Sequence, residues 1–510
     1  MQSRFEYCRI VGLMAAGLGI LAAGCKSVGP DYQAPELPDP KVALADAGMP
    51  ESGKAGEAAQ KRSEITEAEI GEWWKVFGDE DLNRLIERAF AHNLTLKGAL
   101  ARVRQARAQL AAAEGTWKPV VDAGGTIKRF GTSKYGQTGA NLSRNLYSGG
   151  FDASWEIDIF GGTRRTIEAA EANLEGAIAG VEQIWVTQAA EVASNYAHLR
   201  TVQQRLLVAR RNLDTQSETF EILDSRLKSG IGDELAVQQS RYNVETTRAT
   251  IPLLMAQEEA YLNALAVLVG EEPGLLHEQL KTVKPQLTMQ PKQLVGISAE
   301  YLRRRPDLAQ AERALAAQTA RVGAAVADLY PKFFLNGSIG LESLKAHNFF
   351  DNNSDYWSIG PSVSWPIFRG GTIRANIALQ DAMLEEAYTA YDTALLNAVR
   401  EIRDALSAYS QEYHRYQSLS SAVAAAKAAV NISQDLYKSG LRDFNNVLDA
   451  QRSLLSLEES FTVSQGNIAT SLITLYKALG GGWSSWGDDG VVLEIRTDRD
   501  KDRWGEHNLQ

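Results

Sequence analysis

Four short stretches of the chain alternate between apolar and polar residues. In 151–159 the odd positions hold Phe151, Ala153, Trp155, Ile157 and Ile159, and the even ones hold Asp152, Ser154, Glu156 and Asp158. In 357–367 Trp357, Ile359, Val363, Trp365 and Ile367 again share one parity, and from Phe333 the pattern runs through Leu335, Gly337, Ile339 and Leu341. From Val121 it continues more weakly through Ala123 and Ile127. A period of two predicts strands, here near 120–130, 150–160, 332–342 and 356–368. One face of each avoids water and the other seeks it. Such strands form either an antiparallel sheet on a soluble core or a membrane barrel with lipid outside and a watery lumen. Four strands cannot close a barrel, because open edges in lipid leave backbone groups unpaired. A barrel would therefore have to be shared by several chains.

Between the strands the period changes. In 170–199, Leu174, Ile178, Val181, Trp185, Val192 and Tyr196 recur at three- and four-residue spacing with alanines among them, the stripe of a packed helix. Segments 163–228 and 372–438 contain no proline and are rich in Ala, Leu, Glu, Gln and Arg. Helices of about 65 residues would be rods on the order of 100 Å long. Each ends at a Lys-Ser-Gly turn, at 228–230 and 438–440, and the chain returns through 235–269 and 445–479. Two long helical hairpins are predicted, with their tips far from the strands. Helical stretches over 81–117 and 298–329 precede the strands, and Asp79-Glu80-Asp81 suits a helix N-terminus.

These elements occur twice. A displacement of 210 residues lays Trp155 on Trp365, Gly161 on Gly371, Gly230 on Gly440, Val237 on Val447 and Gly270 on Gly480. Upstream the displacement is 212, pairing Leu96 with Leu308 and Pro119 with Pro331. A unit of roughly 200 residues has been duplicated, with a two-residue length difference in a strand or turn. The first repeat is placed at 64–285, with its tip near 228–236, and the second at 286–483, with its tip near 438–446. The fold class is mainly α, built on a duplicated strand–strand–long-helix unit.

The N-terminus reads as an address. Arg4 and Arg9 precede an uncharged apolar run to Ala23, the form of a secretory signal peptide over 1–24. It stops at Leu21-Ala22-Ala23-Gly24-Cys25, which looks like a bacterial lipobox and makes Cys25 the candidate lipid-bearing residue. Lys26 in place of Asp favours the outer membrane. Residues 25–63, rich in proline, form a lipidated extended arm, and 484–510 a C-terminal tail.

Composition removes several classes. With 510 residues, 44% hydrophobic, 53 Lys+Arg against 63 Asp+Glu and a net charge of -10, the chain is neither disordered nor a nucleic-acid binder. Only Cys8 and Cys25 are cysteines, and the six histidines are scattered, so no disulfide framework and no metal motif is present. No phosphate loop, nucleophile elbow or selected carboxylate pair is found, so no catalytic residue is assigned and no enzyme is expected. Arg303-Arg304-Arg305-Pro306-Asp307 invites an anion-binding reading, but Pro and Asp there suit a helix start. Trp155, Trp357 and Trp365 lie on alternating strands near loop ends and suit a membrane interface.

Taken together the motifs resemble the outer membrane factors of Gram-negative efflux systems, the TolC-like channels, within them the lipoprotein branch of OprM- and NodT-type proteins. The resemblance covers nearly the whole mature chain. It rests on Val28-Gly29-Pro30-Asp31-Tyr32, Trp73-Trp74, Trp155-Glu156-Ile157-Asp158-Ile159-Phe160-Gly161, Arg303 to Asp307, Tyr330-Pro331, Val447-Leu448-Asp449-Ala450-Gln451-Arg452 and Ala478-Leu479-Gly480. It implies a homotrimer in which each chain gives four strands to a transmembrane β-barrel of twelve, above a long periplasmic α-helical tunnel. The duct would be passive, docked on a periplasmic adaptor protein and an inner-membrane pump, for drugs or other small toxic compounds. No cofactor is implied beyond the lipid on Cys25. The resemblance also implies a gate at the periplasmic tip: Asp449 in an acidic ring, Tyr437 and Arg442 in polar ties, and Asn446 where some members carry a second acid. Asp233 and Glu234 are possible partners for Arg442. Two alternatives are a type I protein secretion duct and a periplasmic coiled-coil lipoprotein scaffold.

Overall fold

The computed structural model describes residues 27–35, 70–131, 135, 143–287 and 300–483. The signal segment 1–24, Cys25, residues 36–63 of the arm and the tail 484–510 lie outside the described residues. The described residues are mostly helical with one small sheet. In order come α1 (Glu80–His92), α2 (Leu94–Gly115), β1 (Val120–Gly131), β2 (Ser143–Ile157), α3 (Gly162–Lys228) and α4 (Glu234–Leu268). After short helical turns follow α5 (Pro306–Ala327), β3 (Lys332–Ser343), β4 (Asp355–Ser364), α6 (Thr372–Lys438) and α7 (Phe444–Ala478). Among the described residues no helix is long and apolar enough to cross a membrane.

The duplication is literal in these lengths. Helices α3 and α6 both have 67 residues, and α4 and α7 both have 35. Strand register locates the length difference: Val120 pairs with Ser154, and Lys332 with Ser364. The first strands of the two hairpins are thus displaced by 212 and the second by 210, so the two-residue difference falls inside the hairpin, whose ladder runs from Val120–Ser154 to Gly131–Ser143 in the first repeat and only from Lys332–Ser364 to Leu341–Asp355 in the second.

Each of two compact units draws on both repeats. One comprises Met1–Glu36, Arg102–Ile178 and Gln310–Asp392, and it contains the sheet. The strand order is β1-β2-β3-β4, antiparallel throughout, leaving β1 and β4 as edges. One face carries aligned apolar rows such as Phe151–Ile339–Trp357. The other carries Asp122–Asp152–Ser338–Ser358, with Ser338 and Ser358 hydroxyls 2.7 Å apart and Asn336 bonded to Ser154 and Ser362. The indoles of Trp155 and Trp365 donate to the carbonyls of Trp117 and Leu329, equivalent ties in the two repeats. Trp357 is 73% exposed. Two strand ends differ from expectation. β2 starts earlier, because Ser143–Gly149 continue pairing with β1 despite their polarity. β4 stops at Ser364 rather than 368, since Pro366 has no N–H to give and Ile367 N–H turns back to Trp365.

The described part of the arm is extended and held by this same unit. Val28 N–H donates to Phe160 O, the buried Arg165 guanidinium binds Asp31 at 2.5 Å, and the Tyr32 hydroxyl donates to Glu312.

The second unit comprises Leu37–Ala101, Ala179–Ala309 and Thr393–Gln510. Its core includes Trp73, Trp74, Leu82, Ile86 and Tyr476, with Trp73 stacked on Tyr476. Asp79 caps α1 by accepting from the N–H groups of Asp81 and Leu82. The stretch expected to be one helix over 81–117 breaks at Asn93, whose extended backbone lets its side chain cap the next turn at Leu96. Its amide also donates to Leu268 O, the end of α4. In the second repeat Arg305 takes this place. Only 6% of its side chain is exposed; it donates to Ala478 O and pairs with Asp307 and Glu401. The arginine-rich motif therefore closes on its own unit at Arg305, and its chemistry is structural.

Candidate functional site

The predicted gate residues all lie at the hairpin tips, within the second unit, whereas Trp155, Trp357 and Trp365 belong to the first. Both turns are built alike. Gly230 and Gly440 adopt φ of +74° and +71°, a region that costs other residues a Cβ clash. Ile231 N–H reaches back to Arg226 O, and Leu441 N–H to Leu436 O, so each long helix ends in a Schellman turn. Beneath the turns Leu223, Ala236, Val237, Phe444, Val447 and Leu448 form one apolar cluster joining the hairpins.

The polar groups are less symmetric. Tyr437 stands edge-on to Phe444, and its hydroxyl accepts from Arg226 Nη1 at 3.1 Å beneath a guanidinium stacked over the ring. Its arginine partner within the chain is thus Arg226, contributed by α3. Arg442 is exposed and, among the described residues, lies within ion-pair distance of no carboxylate. Asp233 and Glu234 do not meet it because both are used locally. Asp233 caps α4 through Leu235 N–H, and Glu234 accepts from Gln238. In the second hairpin Asp443 makes no side-chain cap; its carbonyl instead accepts from the Asn446 amide.

Asn446 and Asp449 share the exposed side of the first turns of α7. The Asp449 side chain is 77% exposed and 3.7 Å from Arg452 Nη1. Arg452 is itself anchored, donating to Asn243 Oδ1 at 2.8 Å and lying over the Tyr242 ring of α4. Asp449 therefore presents a carboxylate to water from a backbone whose opposite face is packed. Sequence reasoning missed Arg226, Arg452 and Asn243. The displacement of 210 lays Tyr242 on Arg452, a signal for that contact, whereas nothing comparable marks Arg226. Among the described residues no cluster of His, Cys, Asp and Glu forms a candidate metal site.

A model of the outer membrane efflux protein family matches residues 85–271 and 297–481, one copy on each repeat. The chain belongs to the outer membrane efflux protein family. Nodulation protein T of Rhizobium leguminosarum bv. viciae is 31% identical over 476 residues, covering 93% of this chain and 94% of that protein. Outer membrane protein OprJ of Pseudomonas aeruginosa is 28% identical over 493 residues, covering 94% and 97%. The solved structure of the outer-membrane channel OprN superposes with a TM-score of 0.82 at 33% identity, covering 89% of this chain and 99% of that one. As a member of this family the protein is an outer membrane efflux channel, and its chemistry is transport.

Proposed function

We propose that three copies of this chain build one exit duct through the outer membrane, each giving its four strands to a barrel of twelve. The observation that carries the reading is the open sheet, with edges at β1 and β4 and one face of aligned apolar residues. Edges facing lipid leave N–H and C=O groups unpaired, at several kcal/mol per group. With four alternating strands, β4 of one copy and β1 of the next run in opposite directions, so antiparallel pairing continues around a closed ring. Trp155, Trp357 and Trp365 then lie at the membrane interface, and the Asp122–Asp152 rows line a wet lumen.

The helices extend this duct into the periplasm, where an adaptor protein and an inner-membrane pump engage it and the pump supplies the energy. The cargo is drugs or other small toxic compounds, and the chain itself carries no catalytic group. Cys25 bears the lipid; the docking of residues 27–32 against Phe160, Arg165 and Glu312 supports this by holding the chain just after Cys25 beside the end of β2. At the tips, three Asp449 carboxylates around the symmetry axis attract cations and repel one another. Arg442 serves as a tie to a neighbouring chain, with Tyr437 and Asn446 beside it.

Single-channel conductance of the purified protein in planar bilayers tests this. Wild type is expected to give a narrow, cation-preferring pore. Asp449→Ala is expected to reduce the cation preference, and Arg442→Ala to widen the pore. Correctly folded protein that forms no pore would overturn the duct reading.

A further inference from the structure

Helix α7 meets the first hairpin and its own neighbour α6 in three successive ways. Near its C-terminal half the contact is close: at Gly466 an added Cβ would stand 2.1 Å from Thr201 Oγ1 of α3, and buried Ser464 donates to Glu412 of α6. At the tip it is apolar, through Phe444, Val447 and Leu448. Between these stretches the contact is made by charge. Glu458, 6% exposed, accepts from Arg211 Nη2 at 3.0 Å and Asn212 Nδ2 at 3.1 Å, both on α3, and from Lys427 Nζ at 3.2 Å on α6. Glu459 pairs with Arg205 of α3 one residue further on.

This middle stretch is loosely filled. Cavities of about 340 and 290 Å³ flank Glu458, and Arg211 and Lys427 line both. In the smaller one, buried Gln216 Oε1 and Gln451 Nε2 have no hydrogen-bond partner among the described residues. Burial pushes the Glu458 carboxyl up, but hydrogen bonds from Asn212 and Lys427 and the charges of Arg211 and Lys427 outweigh it. The group is held below the usual carboxylate range and is ionised in the periplasm.

We propose that Glu458 is a latch in the shaft of the second hairpin, holding α7 against Arg211 and Asn212 of the first and limiting how far the duct opens. It is a positioning residue for transport, and the proposal rests on the gated-duct reading above. A charged contact suits a latch better than packed apolar groups. Arg211 is 62% exposed, so it regains water at little cost when released, and the flanking cavities give α7 room to shift. The duct would then be restrained at two levels, at the tip and about nine residues above it, roughly 13 Å along the helix.

The test is single-channel conductance of assembled trimers carrying Glu458→Gln, Arg211→Gln, both together, or Asp449→Ala and Arg442→Ala as gate references, each with its melting temperature. Both latch variants are expected to raise open-state occupancy by about fivefold or more, and the double variant no further than either alone. Arg211→Gln alters an exposed side chain and keeps the test valid should Glu458→Gln fail to assemble. Latch variants with wild-type conductance, beside altered gate references, would overturn the latch and leave the gate standing. A lowered melting temperature with unchanged conductance would likewise reduce Glu458 to a structural role. Gate references and latch variants all behaving as wild type would overturn the gated reading and the latch with it.

Discussion

The two hairpins have helices of the same length, the same Schellman turn and glycines at the same two turns, yet their tips carry different chemistry. In the first, Asp233 and Glu234 are spent on α4 itself. In the second the corresponding residues are Asp443 and Phe444; Phe444 enters the shared apolar cluster, and Asn446 and Asp449 are left facing water. The same divergence recurs at the opposite ends of α4 and α7. Asn93 ties down Leu268 O with a neutral amide, whereas Arg305 ties down Ala478 O and two carboxylates. Duplication supplied the scaffold twice, and the copies then separated into one that is self-capped and one that carries exposed or strongly tied charge.

Three pairs of substitutions would break or sharpen this contrast. The largest effect is expected from Arg305→Ala, which leaves Asp307 and Glu401 without their cation; chemical denaturation should show a loss of about 3 kcal/mol. Asn93→Ala, at the equivalent place, should cost only about 1–2 kcal/mol, and equal losses would erase the distinction between the two ties. Next come Gly230→Ala and Gly440→Ala, each expected to lower stability by about 1 kcal/mol, because both turns need the same left-handed backbone. A clear inequality there would show that the turns are not equivalent in solution. Third, Asp449→Ala should change ion selectivity, while Gln239→Ala, its counterpart in the first hairpin, should not; reversal potentials in a salt gradient decide this.

The smallest effect concerns a clasp of the first repeat. His277 Nε2 lies 2.7 Å from Glu259 and Nδ1 3.0 Å from Gly274 O, two acceptors that together favour the imidazolium. The hydrogen bond to Glu259 raises His277 above its ordinary 6.5, with the charges of Glu259 and Glu258 adding to it, and the same bond lowers Glu259. A raised histidine contributes stability fully below its unfolded value and loses it as pH rises through the folded value; the depressed Glu259 contributes above its own unfolded value. The clasp is therefore strongest between about pH 4.5 and 6.5. The melting temperature of wild type should exceed that of His277→Asn by a degree or two near pH 6, and the two should converge by about pH 9. A difference independent of pH would remove the charge from the explanation.

Much of this fold is legible along the chain because period and repetition are local signals. The long helices were bounded to within a residue by the absence of proline and by the two Lys-Ser-Gly turns. Strand positions followed from alternation, and their errors have local causes: Ser143–Gly149 pair without an apolar pattern, and Pro366 cannot donate to a ladder. The break at Asn93 was hidden because an asparagine inside a helical pattern does not announce whether it caps. At the tips the motifs point to candidate residues but not to their partners. Tyr437 meets Arg226 and Arg452 meets Asn243 across more than 200 positions of sequence, contacts that depend on how one helix is rotated against another. Periodicity gives the face of a helix, and leaves open which long polar side chain on the facing helix reaches it.

The equal helix lengths also decide where this chain can grow. One residue inserted into α3 or α6 would turn every later side chain of that helix by about 100° and advance it by about 1.5 Å, moving the apolar stripe off its partner. The same residue added between β1 and β2, or between β3 and β4, alters only a loop closure, whose cost rises slowly with length. The two-residue difference between the repeats lies within the strand hairpins and not in the shafts, which marks the hairpin ends as the positions where a tag or an epitope can be accommodated without disturbing the long helices.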